Sequence, residues 1–314
     1  MTQPTKPIVA IAGATGHLGK QITTAFLSSA FHDKFSEIIL LSRRESTLFS
    51  PSELRTGLKV TTRRYDTTNL EEALRDVDIL INAIGPGGHE FKTRIAATLP
   101  RTNIRLYFPS EFGVDHYGHD FAHLEWYEKK KHLANAQPVV TDMKICRVFV
   151  GLFLEDSIGP WFGFDTRNGR YTSVGPPTTP VSFTGMGDVG KTVASLASME
   201  VELVPEIVRV GGDTRSILEI AGIMRDAGAG EIDVREVPYE EYKRVTTAKE
   251  DSWDPAAYLR FLMADGRIDH TVNGLGSDNE FVNPGQRLWK WKTMEDLARE
   301  TGGRPWKDTV WPPK

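Results

Sequence analysis

Through the first half of the chain, short β-branched apolar runs alternate with stretches in which apolar residues recur every three or four positions. The runs predict strands at 8–12, 38–42, 60–64, 79–83, 105–108 and 144–149, and the longer spacing predicts helices near 16–28, 69–77, 90–99 and 123–135. Strand and helix in alternation predict βαβ units, because a parallel pair of strands needs a crossover connection and a helix is the usual one.

After Phe153 the texture changes. Gly159-Pro160-Trp161-Phe162-Gly163-Phe164 and Gly175-Pro176-Pro177 interrupt regular structure while supplying apolar surface, as a boundary or a cleft wall would. Further helices are expected near 188–197 and 216–226. The expected fold class is α/β: a Rossmann-type doubly wound parallel sheet in 1–155, and a smaller C-terminal α+β lobe for substrate in 156–314, with a segment near 183–225 returning to the first domain. Phe153, Trp161 and Phe164 are the candidate substrate-facing residues, core filling being the other reading of the aromatics. Trp289 and Trp291 read as packing of the last lobe.

Composition narrows the function classes. With 39% hydrophobic and 25% charged residues the 314-residue chain is an ordinary globular one. A net charge of −4 gives no reason to expect nucleic acid, and Lys129-Lys130-Lys131 is too short for a nucleic-acid arm. The single cysteine, Cys146, lies in an apolar run, permits no intrachain disulfide and suits a reducing compartment. No apolar stretch approaches the ~20 residues that span a bilayer, so no membrane association is expected and the expected location is the cytoplasm. A homodimer is the candidate assembly.

The chemistry starts at the first strand. Ile8–Ala12 runs into Gly13-Ala14-Thr15-Gly16-His17-Leu18-Gly19, a strand, a glycine-rich turn and a helix start in that order. The first gap is one residue wider than in the usual dinucleotide fingerprint, yet the physical demands are met: a tight turn at Gly13, close backbone approach to a pyrophosphate at Gly16, and close helix–strand packing at Gly19. Thr15, His17 and Leu18 complete the turn and the helix start that would receive the phosphates. The second strand then selects the dinucleotide. An acid at its end would hold the ribose 2′-hydroxyl of NAD, whereas the sequence there is Leu41-Ser42-Arg43-Arg44, and a guanidinium grips a 2′-phosphate. NADPH/NADP+ is therefore the expected cofactor; in the competing reading both arginines are solvated and Glu45 takes the ribose. Ile84 and Gly85, after the fourth strand, and Pro109 and Ser110, after the fifth, are expected to line the same crevice.

Three motifs carry a family resemblance: the Gly13–Gly19 turn, Pro109-Ser110-Glu111-Phe112-Gly113, and the aromatic–x–x–Lys–x–x–aliphatic pattern of Tyr127, Lys130 and Leu133, with Asp188-Val189-Gly190 as a weaker fourth. On these the chain resembles the isoflavone reductase-like branch of the NmrA-like family, an atypical group of short-chain dehydrogenases. The resemblance implies an NADPH-dependent reductase of a small apolar, aromatic or polyketide-like metabolite, with Lys130 as general acid or base. A proton donor or cation is what hydride delivery calls for, since it leaves a developing anion. Tyr127 and Lys131 form the Tyr-x-x-x-Lys pair of ordinary short-chain dehydrogenases, with Ser110 upstream, and that assignment stays open. So do two readings of another class, a non-catalytic NADP(H)-sensing regulator and a cofactor-retaining isomerase or dehydratase. His116, His119 and His123 have loose metal-like spacing but no cysteine partner, so no metal is expected. His89 falls near the end of the fourth strand and reads as a loop residue.

Overall fold

The first apolar run forms β1 (Ile8–Ala12), and its partners are β2 (Glu37–Ser42), β3 (Lys59–Arg64), β4 (Ile79–Asn82), β5 (Leu106–Phe108) and β6 (Lys144–Ile145). The computed structural model describes residues 6–43, 57–66, 68–137, 142–248 and 255–310. All pairs in this sheet are parallel, in the order β3-β2-β1-β4-β5-β6. Ile11 stands opposite Leu40 on one side and Ile81 on the other. Every residue of β2 and β4 is buried, as expected of parallel strands covered on both faces, whereas β3 alternates exposed and half-buried positions as an edge. The strand order reverses between β1 and its neighbours β2 and β4. A doubly wound sheet opens its binding crevice beyond the carboxyl ends of the strands at such a point.

The helices of this sheet are α1 (His17–Phe26), α2 (Leu70–Ala73), α3 (His89–Thr98) and α4 (Leu124–Ala136). α1 turns Ile22, Ala25 and Phe26 inward. α2 is shorter than the predicted 69–77 because Asp76 adopts a left-handed backbone, φ 62°, which no right-handed helix continues. The predicted strand 144–149 divides into β6 and Arg147–Phe149, which pairs with Ile207–Arg209; the intervening Cys146 is buried and donates its N–H to the Tyr107 carbonyl at 2.9 Å. The expected helix 216–226 is regular over Ile217–Met224 and then loosens into a wider turn, in which Gly228 takes φ 101°.

The chain forms two compact units. The first gathers Met1–Glu111, Glu128–Val148 and Val189–Val208, and so contains the whole six-stranded sheet. Gly190 sits against α1 so closely that a Cβ there would come within 2.5 Å of the Gln21 carbonyl oxygen. The second unit gathers Phe112–Tyr127, Phe149–Asp188 and Arg209–Lys314, and is comparable in length to the first where the sequence predicts a smaller lobe. It has two small sheets, one ordered Asp233–Val237, Arg170–Val174, Phe164–Asp165 and the other Asp213–Arg215, Val181–Thr184, Leu152–Phe153. Its core includes Leu154, Phe164, Tyr171, Phe183, Phe261 and Met294. Two of its helices begin with reciprocal caps, Ser216 with Glu219 and Thr293 with Asp296, which satisfy amides a helix start leaves open. Among the described residues no helix is long and apolar enough to cross a membrane.

Candidate functional site

In the first unit the β1–α1 turn is built as the spacing requires. Gly13 has φ +83°, and a Cβ on it would stand 2.7 Å from the Ala83 carbonyl oxygen of the neighbouring strand end. A side chain is thus barred both by backbone conformation and by space. A Cβ on Gly19 would run into the Gly13 carbonyl, so the first turn of α1 lies directly on the loop. The Gly16 N–H donates to Gly13 O at 2.8 Å, and Gly16 caps α1 without a side-chain hydrogen bond. The first amides of α1 therefore point, with the positive end of the helix dipole, toward whatever anion enters the turn.

A cleft of about 700 Å³ opens beside this turn. Gly13, Thr15 and Gly16 form one wall, Leu41, Ser42 and Arg43 the β2 end, and Ala83, Ile84 and Gly85 the β4 end. Among the expected residues His17, Leu18 and Gly19 lie in α1 behind the turn, and Arg44 lies outside the described residues. Ser110 acts on the cleft's wall: its hydroxyl donates to the Ile84 carbonyl at 2.8 Å. Pro109 is buried and accepts the Glu111 N–H at 2.7 Å in the bend that follows β5.

Two cleft residues escape a reading of the sequence. Tyr65 follows β3 and Phe91 lies in the first turn of α3, and their rings meet at 4.2 Å between centroids. Burial raises the Tyr65 phenol above its ordinary value, with the positive charge of Arg43 opposing the rise. The signal available was positional: both residues stand where the chain leaves or enters the carboxyl edge of a parallel sheet.

α4 carries the lysine run. Lys129 Nζ donates to the Glu111 carbonyl at 3.0 Å, Lys131 is exposed and pairs with Glu128 at 3.5 Å, and Lys130 is half-buried. Tyr127, one turn before Lys131, is 62% exposed. Two residues beyond Lys130, His132 turns inward and is buried. Its imidazole is pushed down to about 4, first by burial and then by the Lys92 ammonium.

In the second unit Phe164 is 1% exposed and meets Tyr171 edge-on at 5.0 Å, a core position. Trp161 is half-buried; its indole N–H donates to the Asp156 carbonyl at 2.8 Å and its ring packs edge-on against Trp306. Phe153 is half-buried in a short strand. The three histidines enter an aromatic cluster. His119 and His123 lie 4.5 and 4.9 Å from the Trp126 ring, and His116 stacks at 4.5 Å on Tyr117. Among the described residues no group of three histidine, cysteine or acidic side chains could hold a metal ion.

The fold is that of several solved reductases. AtPrR2 with NADP+ and (+)pinoresinol superposes with a TM-score of 0.74 at 18% identity, over 95% of this chain and 99% of that one. A leucoanthocyanidin reductase of Vitis vinifera gives 0.72 at 16% identity, over 94% and 99%. By sequence the chain is 36% identical over 120 residues to phenylcoumaran benzylic ether reductase TP7 of Nicotiana tabacum, and 31% identical over 119 residues to eugenol synthase 1 of Petunia hybrida. Each match covers 35% of this chain and 37% of the relative, so the alignable part is little more than a third of either protein. The model of the NmrA-like family matches residues 5–260, and the chain belongs to that family.

Proposed function

We propose that the protein is an NADP(H)-dependent oxidoreductase that reduces a small aromatic or polyketide-like metabolite, with Lys130 as the proton donor. The observation that carries this reading is the cleft at the glycine turn: the turn has no room for side chains at Gly13 and Gly19, and among the described residues the β2 end of the cleft is Leu41, Ser42 and Arg43, with no acid. The names of the relatives support it, since phenylcoumaran benzylic ether reductases recur among them and AtPrR2 was solved with NADP+.

When bound, the nicotinamide supplies a hydride. The chain's own residues do the rest. The Gly13–Gly16 turn and the first amides of α1 receive the pyrophosphate, and the Arg43 guanidinium pairs with a 2′-phosphate, where a charge-assisted contact is strongest. The Ile84–Gly85 main chain fixes the far end of the cleft. The Lys130 ammonium gives a proton to the substrate oxygen on which negative charge develops.

The test is a pair of dissociation constants and a substrate screen. NADPH should bind at least tenfold more tightly than NADH, a gap of about 1.4 kcal/mol, and Arg43→Ala should narrow it by weakening NADPH alone. Aromatic enones, benzylic ethers and quinone methides are then screened for loss of NADPH absorbance. Equal affinities for the two dinucleotides would refute the cofactor assignment; tight NADPH binding with no turnover across the screen would favour a sensor over an enzyme.

A further inference from the structure

Four polar groups form an unbroken line through the first unit. The Ile84 N–H donates to Asn82 Oδ1 at 3.2 Å, Asn82 Nδ2 donates to Tyr107 Oη at 3.0 Å, and Tyr107 Oη lies 2.7 Å from His132 Nε2. At that distance one proton is shared between the phenol oxygen and the imidazole nitrogen, while the phenol oxygen also accepts from the Asn82 amide. The Ile84 carbonyl is held from the other side by Ser110. Both main-chain polar groups of one residue on the cleft wall, Ile84, are therefore fixed by side chains from the ends of β4 and β5.

The side chains of this line are costly as filling. Asn82 and Tyr107 are 0% exposed and His132 is 7% exposed, and each group would be destabilising at such a place without its partner. Phenylalanine and leucine would fill the space with no such cost. What the polar line adds is a single arrangement, since it is satisfied only when β4, β5 and α4 stand in one register. We propose that Tyr107 is a positioning residue: through Asn82 and His132 it locks the Ile84–Gly85 main chain of the dinucleotide cleft to α4, the helix that carries Lys130. Residues two apart on a helix point about 200° apart, so anchoring His132 against β5 also fixes the direction in which Lys130 projects. The inference rests on the reading of the cleft as a dinucleotide site.

The experiment follows backbone amide exchange in the full chain, free and with NADPH, in Tyr107→Phe, His132→Leu and His132→Gln. Tyr107→Phe and His132→Leu should raise exchange about tenfold or more at Ile84, Gly85 and along α4 while β1 and β2 keep their protection. His132→Gln retains an acceptor and should keep most of it. With a substrate in hand, Tyr107→Phe should lower kcat about tenfold at unchanged KM, as a displaced proton donor would. If Tyr107→Phe does not accumulate folded, the two His132 variants give the same comparison. Exchange that rises uniformly across the sheet, or not at all, overturns the inference and makes Tyr107 a packing residue. Wild-type protein that fails to bind NADPH sinks the dinucleotide reading, and the proposal with it, whatever the exchange pattern.

Discussion

Acidification should load a proton onto an imidazole that has no room for charge. His132 faces Tyr107 from β5, and Lys92 and His89 of α3 add positive charge nearby. Its folded-state value of about 4 lies below the ordinary 6.5, so the unfolded chain binds this proton first as the pH falls. The folded state accordingly loses stability from about pH 6.5 down to about 4, and below that the loss is complete. At about 1.4 kcal/mol per pH unit, that gap corresponds to about 3.5 kcal/mol in full, of which about 3 kcal/mol is lost by pH 4, of the order of a buried side-chain truncation. Carboxylates titrate over the same range, so the measurement is a difference. Urea unfolding of the wild type and of His132→Gln, each followed from pH 7.5 to 4, should give two stability curves that converge as the pH falls, the wild type losing about 3 kcal/mol more. Curves that stay parallel would refute the reasoning and place the imidazole in contact with solvent or with an acid.

The other predictions concern chemistry and core. Lys130→Ala should lower turnover by ~10²–10⁴-fold with NADPH affinity kept, while Lys131→Ala and Tyr127→Phe stay mild; steady-state kinetics showing the inverse pattern would assign the reaction to the Tyr127–Lys131 pair. Phe164→Ala should cost about 3–5 kcal/mol and show as a lower melting temperature, because the ring is enclosed in the second unit's core. Trp161→Ala should raise KM for a bulky substrate at unchanged NADPH affinity; a melting-temperature loss with normal kinetics would make it a packing residue too.

The central sheet is legible in the sequence because buried parallel strands are short apolar runs, and β1, β2, β4 and β5 contain such runs. The glycine turn is legible for a sharper reason: φ +83° at Gly13 and the absence of space at Gly19 admit one residue type each. Other features depend on what lies nearby in space and far away in the chain. Tyr65 and Phe91 face each other only because β3 ends and α3 begins at the same crevice. Tyr107 and His132 are 25 positions apart, and neither residue alone announces the other. Phe164 sits in a glycine- and proline-rich aromatic stretch that reads as a wall, yet Tyr171 encloses it. The end of α2 turns on the backbone of Asp76, which no periodicity records.

The first unit is assembled from three pieces of chain, and this sets an order of events at the ribosome. Its last piece, Val189–Val208, includes the glycine that lies against Gln21 and Ile22 of α1. About a hundred residues separate the end of its first piece at Glu111 from Val208. At ~5–20 residues per second their synthesis takes roughly 5–20 s, during which five strands of the sheet exist and part of their cover does not. That interval is far longer than a hydrophobic collapse, so the nascent chain is a client for whatever holds apolar surface during translation. A truncation after residue 155 would make the interval permanent: it should yield an aggregating fragment, not a separate dinucleotide-binding domain.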